Sequence, residues 1–376
     1  MIDNIQRLLK ASPSRVPLYR VDLPDASARY AKQALGSTWI SSKGDFIDKF
    51  ESSLCSYLQV KHTICVSNGT AALHLALLAL GVGPGDEVIV PNFSYIAAAN
   101  SVVYVGATPV FADVSSSTGQ LTLASFKDSL TANTKAVLLV HTYGFYSDDY
   151  IEIINYARSK SILIIEDCAE SLGTKFKDKH LGTYGDISTL SFFGNKTLTT
   201  GEGGAVFTND SSLASSVFKL KGQGLSNHRE YFHDQVGYNY RMTNICAAIG
   251  YGQFSSLDQT IHKKRMLYKA YIDNISHQNL SPFPFCLDTQ INPWLCIFKA
   301  QSHEQRDLLR LKLASYGIET RPGFPPASSM PMYFCNSYAS SVSNCLANTI
   351  ICLPSYPSIS QSDLELVLTT IDGFFN

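Results

Sequence analysis

Residues 188–210 read STLSFFGNKTLTTGEGGAVFTND. One amine, Lys196, stands between an aromatic run and a turn carrying Gly201, Gly203 and Gly204. Lysine is seldom fully buried. Either Lys196 is a solvated loop residue, or it is an amine held in a pocket to condense with a carbonyl. The glycines let backbone approach closely, as a pocket amine would need, but taken alone the stretch favours the solvated lysine. Ser191, five residues earlier, adds a hydroxyl to the same stretch.

Two further stretches carry matching chemistry. In SNGTAALHLAL, Gly69 and Thr70 open an apolar helix, whose free N–H groups and dipole favour a phosphate. The competing reading is an ordinary cap by Ser67 or Asn68. In ILIIEDCAES, Asp167 ends an apolar strand. A carboxylate there can keep a ring nitrogen protonated, bind a metal or cap the next helix. Tyr95, in PNFSYIAAAN, offers a ring to cover a planar ligand; a core or rim tyrosine is the alternative. An anion cradle, a strand-end acid, an amine on a tight loop and a covering ring match what pyridoxal 5'-phosphate (PLP) requires.

These groups need a scaffold that brings strand ends together. Between about residues 60 and 210, apolar strand-like runs (EVIVP, TPVFADV, KAVLLVHTYG, SILIIEDCAE) alternate with helical patterns such as DDYIEIINYARSK. That alternation predicts an α/β fold with a largely parallel sheet covered on both faces. In such sheets ligands sit outside the carboxyl ends of the strands. After about residue 255 the texture changes to a long polar helix, DQTIHKKRMLYKAYIDNI, and more frequent prolines. A boundary is placed at 258/259, with a large domain over 1–258 and a smaller α+β domain over 259–376.

The bulk numbers exclude other classes. The chain has 376 residues with 30 basic and 31 acidic side chains, net charge −1, so nothing favours nucleic acid or an anionic membrane. Nine cysteines (55, 65, 168, 246, 286, 296, 335, 345 and 352) are scattered without zinc-ligand spacing, so no metal is expected. Free thiols fit a reducing compartment. The N-terminal stretch MIDNIQRLLKASPSR lacks the apolar core of an export signal, and no run reaches bilayer length. A cytoplasmic protein is expected. No G-x-G-x-x-G follows the first strand, which argues against a nicotinamide enzyme.

Several stretches, in their order and spacing, resemble the DegT/DnrJ/EryC1/StrS sugar aminotransferases: STWISSKGDFIDKFE, SNGTAALHLALLALGVGPGDEVIVPNFSY, IIEDCAES, LSFFGNKTLTTGEGGAVFTND, GYNYRMTN and YGIETRPGF. The resemblance implies the aspartate-aminotransferase-type fold (fold type I) and a homodimer with shared active sites. It implies that Lys196 condenses with the cofactor aldehyde, Asp167 partners the pyridinium and Glu170 lies near the ring hydroxyl. Tyr95 would stack on the ring, Gly69, Thr70 and Ser191 would hold the phosphate, and Asn239 would reach the neighbouring subunit's phosphate. Arg321 and Lys43 are candidates for substrate contact, against the alternatives of a surface ion pair and solvated charge. The wording around FFGNKTLTTGEGG and GYNYRMTN points to members that move an amino group from L-glutamate to a GDP-linked 4-keto-6-deoxymannose. Other UDP- or dTDP-linked keto sugars are the main alternative. Two further alternatives are a PLP-dependent sugar dehydratase, whose relatives carry histidine where Lys196 stands, and a non-catalytic PLP-fold protein. Ser328 stands where members usually carry a histidine, in a region that borders their sugar site.

Overall fold

The computed structural model describes residues 15–226, 228–284, 288, 290–334 and 341–376. The stretch read for an export signal lies almost wholly outside the described residues, as do Cys286 and Cys335.

Nine strands come before residue 210: β1 (His62–Val66), β2 (Glu87–Pro91), β3 (Thr108–Ala112), β4 (Thr134–Val140), β5 (Leu163–Asp167), β6 (Lys175–Phe176), β7 (Lys179–His180), β8 (Ile187–Ser191) and β9 (Gly204–Thr208). Seven of them form one sheet in the order β1-β9-β8-β5-β4-β2-β3. The apolar runs are buried on both faces, as in EVIVP, where Val88, Ile89 and Val90 are inaccessible. Helices cover both sides. Gly69–Ala79 is apolar nearly all round, and residues 71–77 are buried against β8 and β9.

Only β9 runs against the rest, antiparallel to both β1 and β8. This reversal decides where the site lies. β1, β2, β3, β4, β5 and β8 all deliver their carboxyl ends to one edge, and β9 begins at that same edge with Gly204. Seven chain segments therefore meet at one edge of the sheet.

The C-terminal part builds a second, antiparallel sheet from β10 (Leu280–Pro282), β11 (Cys296–Ala300), β12 (Arg321–Pro322) and β13 (Ile350–Leu353), in the order β10-β11-β13-β12. Its core gathers Leu309, Leu313, Ile350, Ile351, Val367 and their neighbours. Val16 and Leu18 join that core from the start of the chain, and Phe93, Tyr143 and Phe145 join it from loops of the large sheet. The helix Leu257–Asn274 reads as polar in sequence, yet it buries one face: Leu257, Ile261, Lys264, Leu267, Tyr268 and Tyr271. The i, i+4, i+7 spacing is that of an amphipathic helix, with a lysine occupying one core position.

Candidate active site

A cavity of about 860 Å³ opens along the seam between the two cores. Its walls include Lys196, Asp167, Glu170, Gly69, Thr70, Ser191 and Tyr95. Residues separated by more than a hundred positions in sequence thus share one pocket.

Lys196 sits in the loop joining β8 to β9. The loop is tight: the Lys196 N–H donates to the Phe193 carbonyl at 3.0 Å and the Thr200 N–H to the Phe192 carbonyl at 2.9 Å. Gly201, at φ +83°, closes the turn in the left-handed region that favours glycine. The Lys196 ammonium lies 3.3 Å from Glu170 Oε1. Glu170 is itself aimed by the Tyr143 N–H, which donates to its other oxygen at 2.7 Å. Tyr143 holds a left-handed backbone (φ +59°) to present that N–H. The amine also rests 3.8 Å from the centre of the Trp294 ring, an attractive placement for a cation.

Asp167 ends β5, paired in register with Val140 and Thr189. Its Oδ1 accepts from the Ala169 N–H at 3.0 Å and the Thr189 hydroxyl at 3.4 Å. Among the described residues nothing donates a hydrogen bond to Oδ2. Burial pushes the Asp167 carboxyl up, against the pull of the Ala169 N–H, Lys196 and His141. Glu170 is also pushed up by burial, with Lys196 and the Tyr143 N–H opposing. A buried acid with one idle oxygen facing a cavity calls for a cationic donor.

At the other end, Asn68 caps the helix Gly69–Ala79 through the Ala71 N–H, so the capping alternative is realised at Asn68. The Gly69 and Thr70 N–H groups still have no acceptor within the helix. A Cβ on Gly69 would lie 2.8 Å from the Ser191 Cβ, and one on Gly204 would lie 2.6 Å from the Asn68 carbonyl. The two glycines allow helix, β8 and β9 to converge on one anion-sized cradle. Gly204→Ala is therefore expected to weaken PLP retention about tenfold or more, because the Asn68–Gly69 backbone cannot yield as a side chain would. Equilibrium dialysis of the apoprotein with PLP measures it.

A pyridoxal phosphate molecule needs an anion cradle, a carboxylate and an amine, and the cavity presents all three. The idle Asp167 oxygen and the converging glycines fit that group. A model of the DegT/DnrJ/EryC1/StrS aminotransferase family matches residues 22–372. The chain belongs to that family. It is a PLP-dependent aminotransferase of the aspartate-aminotransferase type. GDP-perosamine synthase of Escherichia coli O157:H7 is 45% identical over 96% of this chain and 99% of that protein. GDP-perosamine synthase of Vibrio cholerae is 39% identical over the same shares. Among solved structures, the aminotransferase TlmJ from Streptoalloteichus hindustanus superposes with a TM-score of 0.89 at 27% identity, covering 96% of this chain and 98% of that one. Spr1654 of Streptococcus pneumoniae, solved in a PLP form, gives 0.88 at 25% identity with the same coverage.

Other sequence candidates fall at the rim or elsewhere. Tyr95 is 59% exposed at the mouth, its ring edge-on to Phe324 at 5.8 Å. Arg321 lines the cavity and pairs with Glu319 at 2.5 Å, so the ion-pair alternative and a place in the pocket both hold. Ser328 is buried outside the lining, its N–H donating to Asn92 Oδ1 at 3.0 Å. Lys43 is not brought to this cavity within one chain. It lines a second one, of about 840 Å³, with Trp39 and Arg241; its segment is tied to Asn244, whose Nδ2 donates to the Trp39 carbonyl at 2.7 Å. Asn239 is exposed and accepts from Arg241 Nη2 at 3.0 Å, outside the Lys196 cavity.

Sequence reasoning missed several groups. Glu166 is fully buried behind Asp167 and accepts from Tyr150, His141 (2.9 Å) and the Gly182, Tyr184 and Gly185 N–H groups. Burial alone would raise its carboxyl, but these donors outweigh it and hold the group below the usual range. The signal was legible: strand alternation points Glu166 and Asp167 to opposite faces. Trp294, Phe324 and Tyr143 form a stack of nearly parallel rings beneath the amine. They come from loops, so no periodicity marks them. His74, on the helix Gly69–Ala79, lines the cavity, and burial lowers its pKa.

Proposed function

We propose that this enzyme moves an amino group from L-glutamate to C4 of GDP-4-keto-6-deoxymannose, giving GDP-perosamine for a bacterial surface polysaccharide. The observation that carries the reading is the 45% and 39% identity, over nearly full length, with two proteins named GDP-perosamine synthase. Bound PLP supplies an aldehyde that takes up amines and a ring that draws electrons from the donor Cα. With the cofactor bound, Lys196 Nζ would take the Cα proton from the donor amino acid and, in the second half-reaction, would deliver a proton to C4 of the acceptor sugar. Glu170 holds the amine over the pocket between these transfers. Asp167 keeps the proton on the ring nitrogen, so the ring remains an electron sink. Gly69, Thr70 and Ser191 take the phosphate, Tyr95 covers the ring, and Arg321 offers positive charge at the sugar side.

The enzyme acts as a homodimer in the cytoplasm in this proposal. Asn239, exposed and turned out of its own cavity, serves the phosphate of the partner copy, and Lys43 reaches the substrate only across that interface. Among the described residues no helix is long and apolar enough to cross a membrane.

A panel of GDP-, UDP- and dTDP-linked keto sugars, each incubated with glutamate and read by mass spectrometry, tests the substrate. The GDP-linked 4-keto-6-deoxymannose is expected to gain an amino group with release of 2-oxoglutarate. Exclusive use of a dTDP sugar would overturn the choice of acceptor, and a 3-deoxy product would favour dehydration instead.

A further inference from the structure

Lys264 is 2% exposed, on the buried face of the helix Leu257–Asn274. Among the described residues no carboxylate pairs with it. Its ammonium donates instead to two main-chain carbonyls, Trp294 at 2.9 Å and Ser355 at 3.2 Å. It also lies 5.3 Å from the centre of the Tyr19 ring, and the Cys296 thiol is the titratable group nearest in effect. Burial lowers its pKa to about 8, with Cys296 opposing. A buried charge without a counter-ion is costly, and an apolar side chain of similar volume would fill the space with less penalty. Packing alone does not account for a lysine here.

Two of the three residues that Lys264 contacts, Trp294 and Tyr19, support Lys196. Trp294 is pinned on two sides: its N–H donates to the Tyr143 carbonyl at 2.8 Å, and its carbonyl accepts from Lys264. So fixed, the indole donates to the Asn195 carbonyl at 2.8 Å and lays its face 3.8 Å from the Lys196 ammonium. Tyr19, under the Lys264 ammonium, donates its hydroxyl to the Lys196 carbonyl at 2.8 Å. One buried ammonium thus holds the main-chain carbonyl of the residue whose ring lies beneath the amine, and lies over the phenol that holds the loop. We propose that Lys264 is a positioning residue, acting through Trp294 and Tyr19 to hold the Lys196 amine in reach of an incoming aldehyde.

The inference rests on Lys196 being the amine that captures PLP. The test uses apoprotein of the full chain and follows the visible band that grows when PLP is added, with Lys264→Met, Trp294→Leu and the double variant. Each single change is expected to slow capture about tenfold to a hundredfold. The double variant should be slowed by less than the product of the two single effects, since the Trp294 route is common to both and only the Tyr19 route belongs to Lys264 alone. Trp294 emission, read in a Trp39→Phe background, should shift to the red in Lys264→Met. Lys264→Gln, whose shorter amide cannot span both carbonyls, repeats the comparison if Lys264→Met does not fold. A purely structural lysine would lower the melting temperature and leave capture and emission unchanged. That result, additive effects in the double variant, or failure of both Lys264 variants to fold would overturn the proposal. Wild-type protein that forms no visible band would instead refute the role of Lys196 itself.

Discussion

Lys196→Ala is expected to abolish amination, with turnover falling by about 10⁴-fold or more, since in the proposed mechanism one amine both captures the cofactor and shuttles the proton. The fold should survive. Lys196 lies on a loop fastened by main-chain bonds, by Tyr19 on its carbonyl and by Trp294 on the carbonyl of Asn195, and none of these needs its side chain. Removing the ammonium does leave Glu170 without its cation at 3.3 Å. Mass spectrometry of the sugar product, alongside a thermal melt, separates the two effects. Amination at the normal rate by the folded variant would remove Lys196 from the chemistry.

Asp167→Asn should make a better-folded but inactive protein. Burial raises the Asp167 carboxyl in the apoprotein, so the folded state disfavours its charge. A group whose folded pKa is raised gives stability that is complete below its unfolded pKa and is lost as pH rises through the folded value. At neutral pH the carboxylate therefore costs stability relative to an amide, which can still accept from Ala169 and Thr189. Loss of a strained functional charge commonly stabilises by about 1 kcal/mol, a rise of roughly 1–3 °C in melting temperature for a chain this long. The gap between variant and wild-type apoprotein should narrow as pH falls toward 4. Turnover should fall about 10²–10³-fold or more, because an amide cannot keep the ring nitrogen protonated. A variant that melts lower at neutral pH, or turns over normally, contradicts this account.

Much of the site was legible because its parts sit where sequence punctuation is strong. Asp167 closes an apolar run, Gly69 and Thr70 follow a capping asparagine, and Lys196 precedes a cluster of glycines. The α/β alternation likewise announces the parallel strands. The reversal of β9 was not legible: GGAVFTND looks like any buried strand, and direction is decided by a short loop rather than by periodicity. Lys264 was read as part of a polar helix because its neighbours His262, Lys263 and Arg265 mask its core position. Trp294, Phe324 and Tyr143 escape for another reason. Stacked rings are assembled by the docking of two cores, and local sequence carries no trace of which loops will meet. Lys43 looked basic and close to a shared motif, but within one chain it lines a different cavity.

The seam between the cores separates two kinds of work. Lys196, Asp167 and the Gly69 cradle hang from the large sheet, whereas Arg321 and Phe324 belong to the C-terminal sheet and the loop that follows β12. If Arg321 faces the acceptor as proposed, changes around β12 would alter acceptor choice while leaving the Lys196 loop and the Gly69 cradle in place.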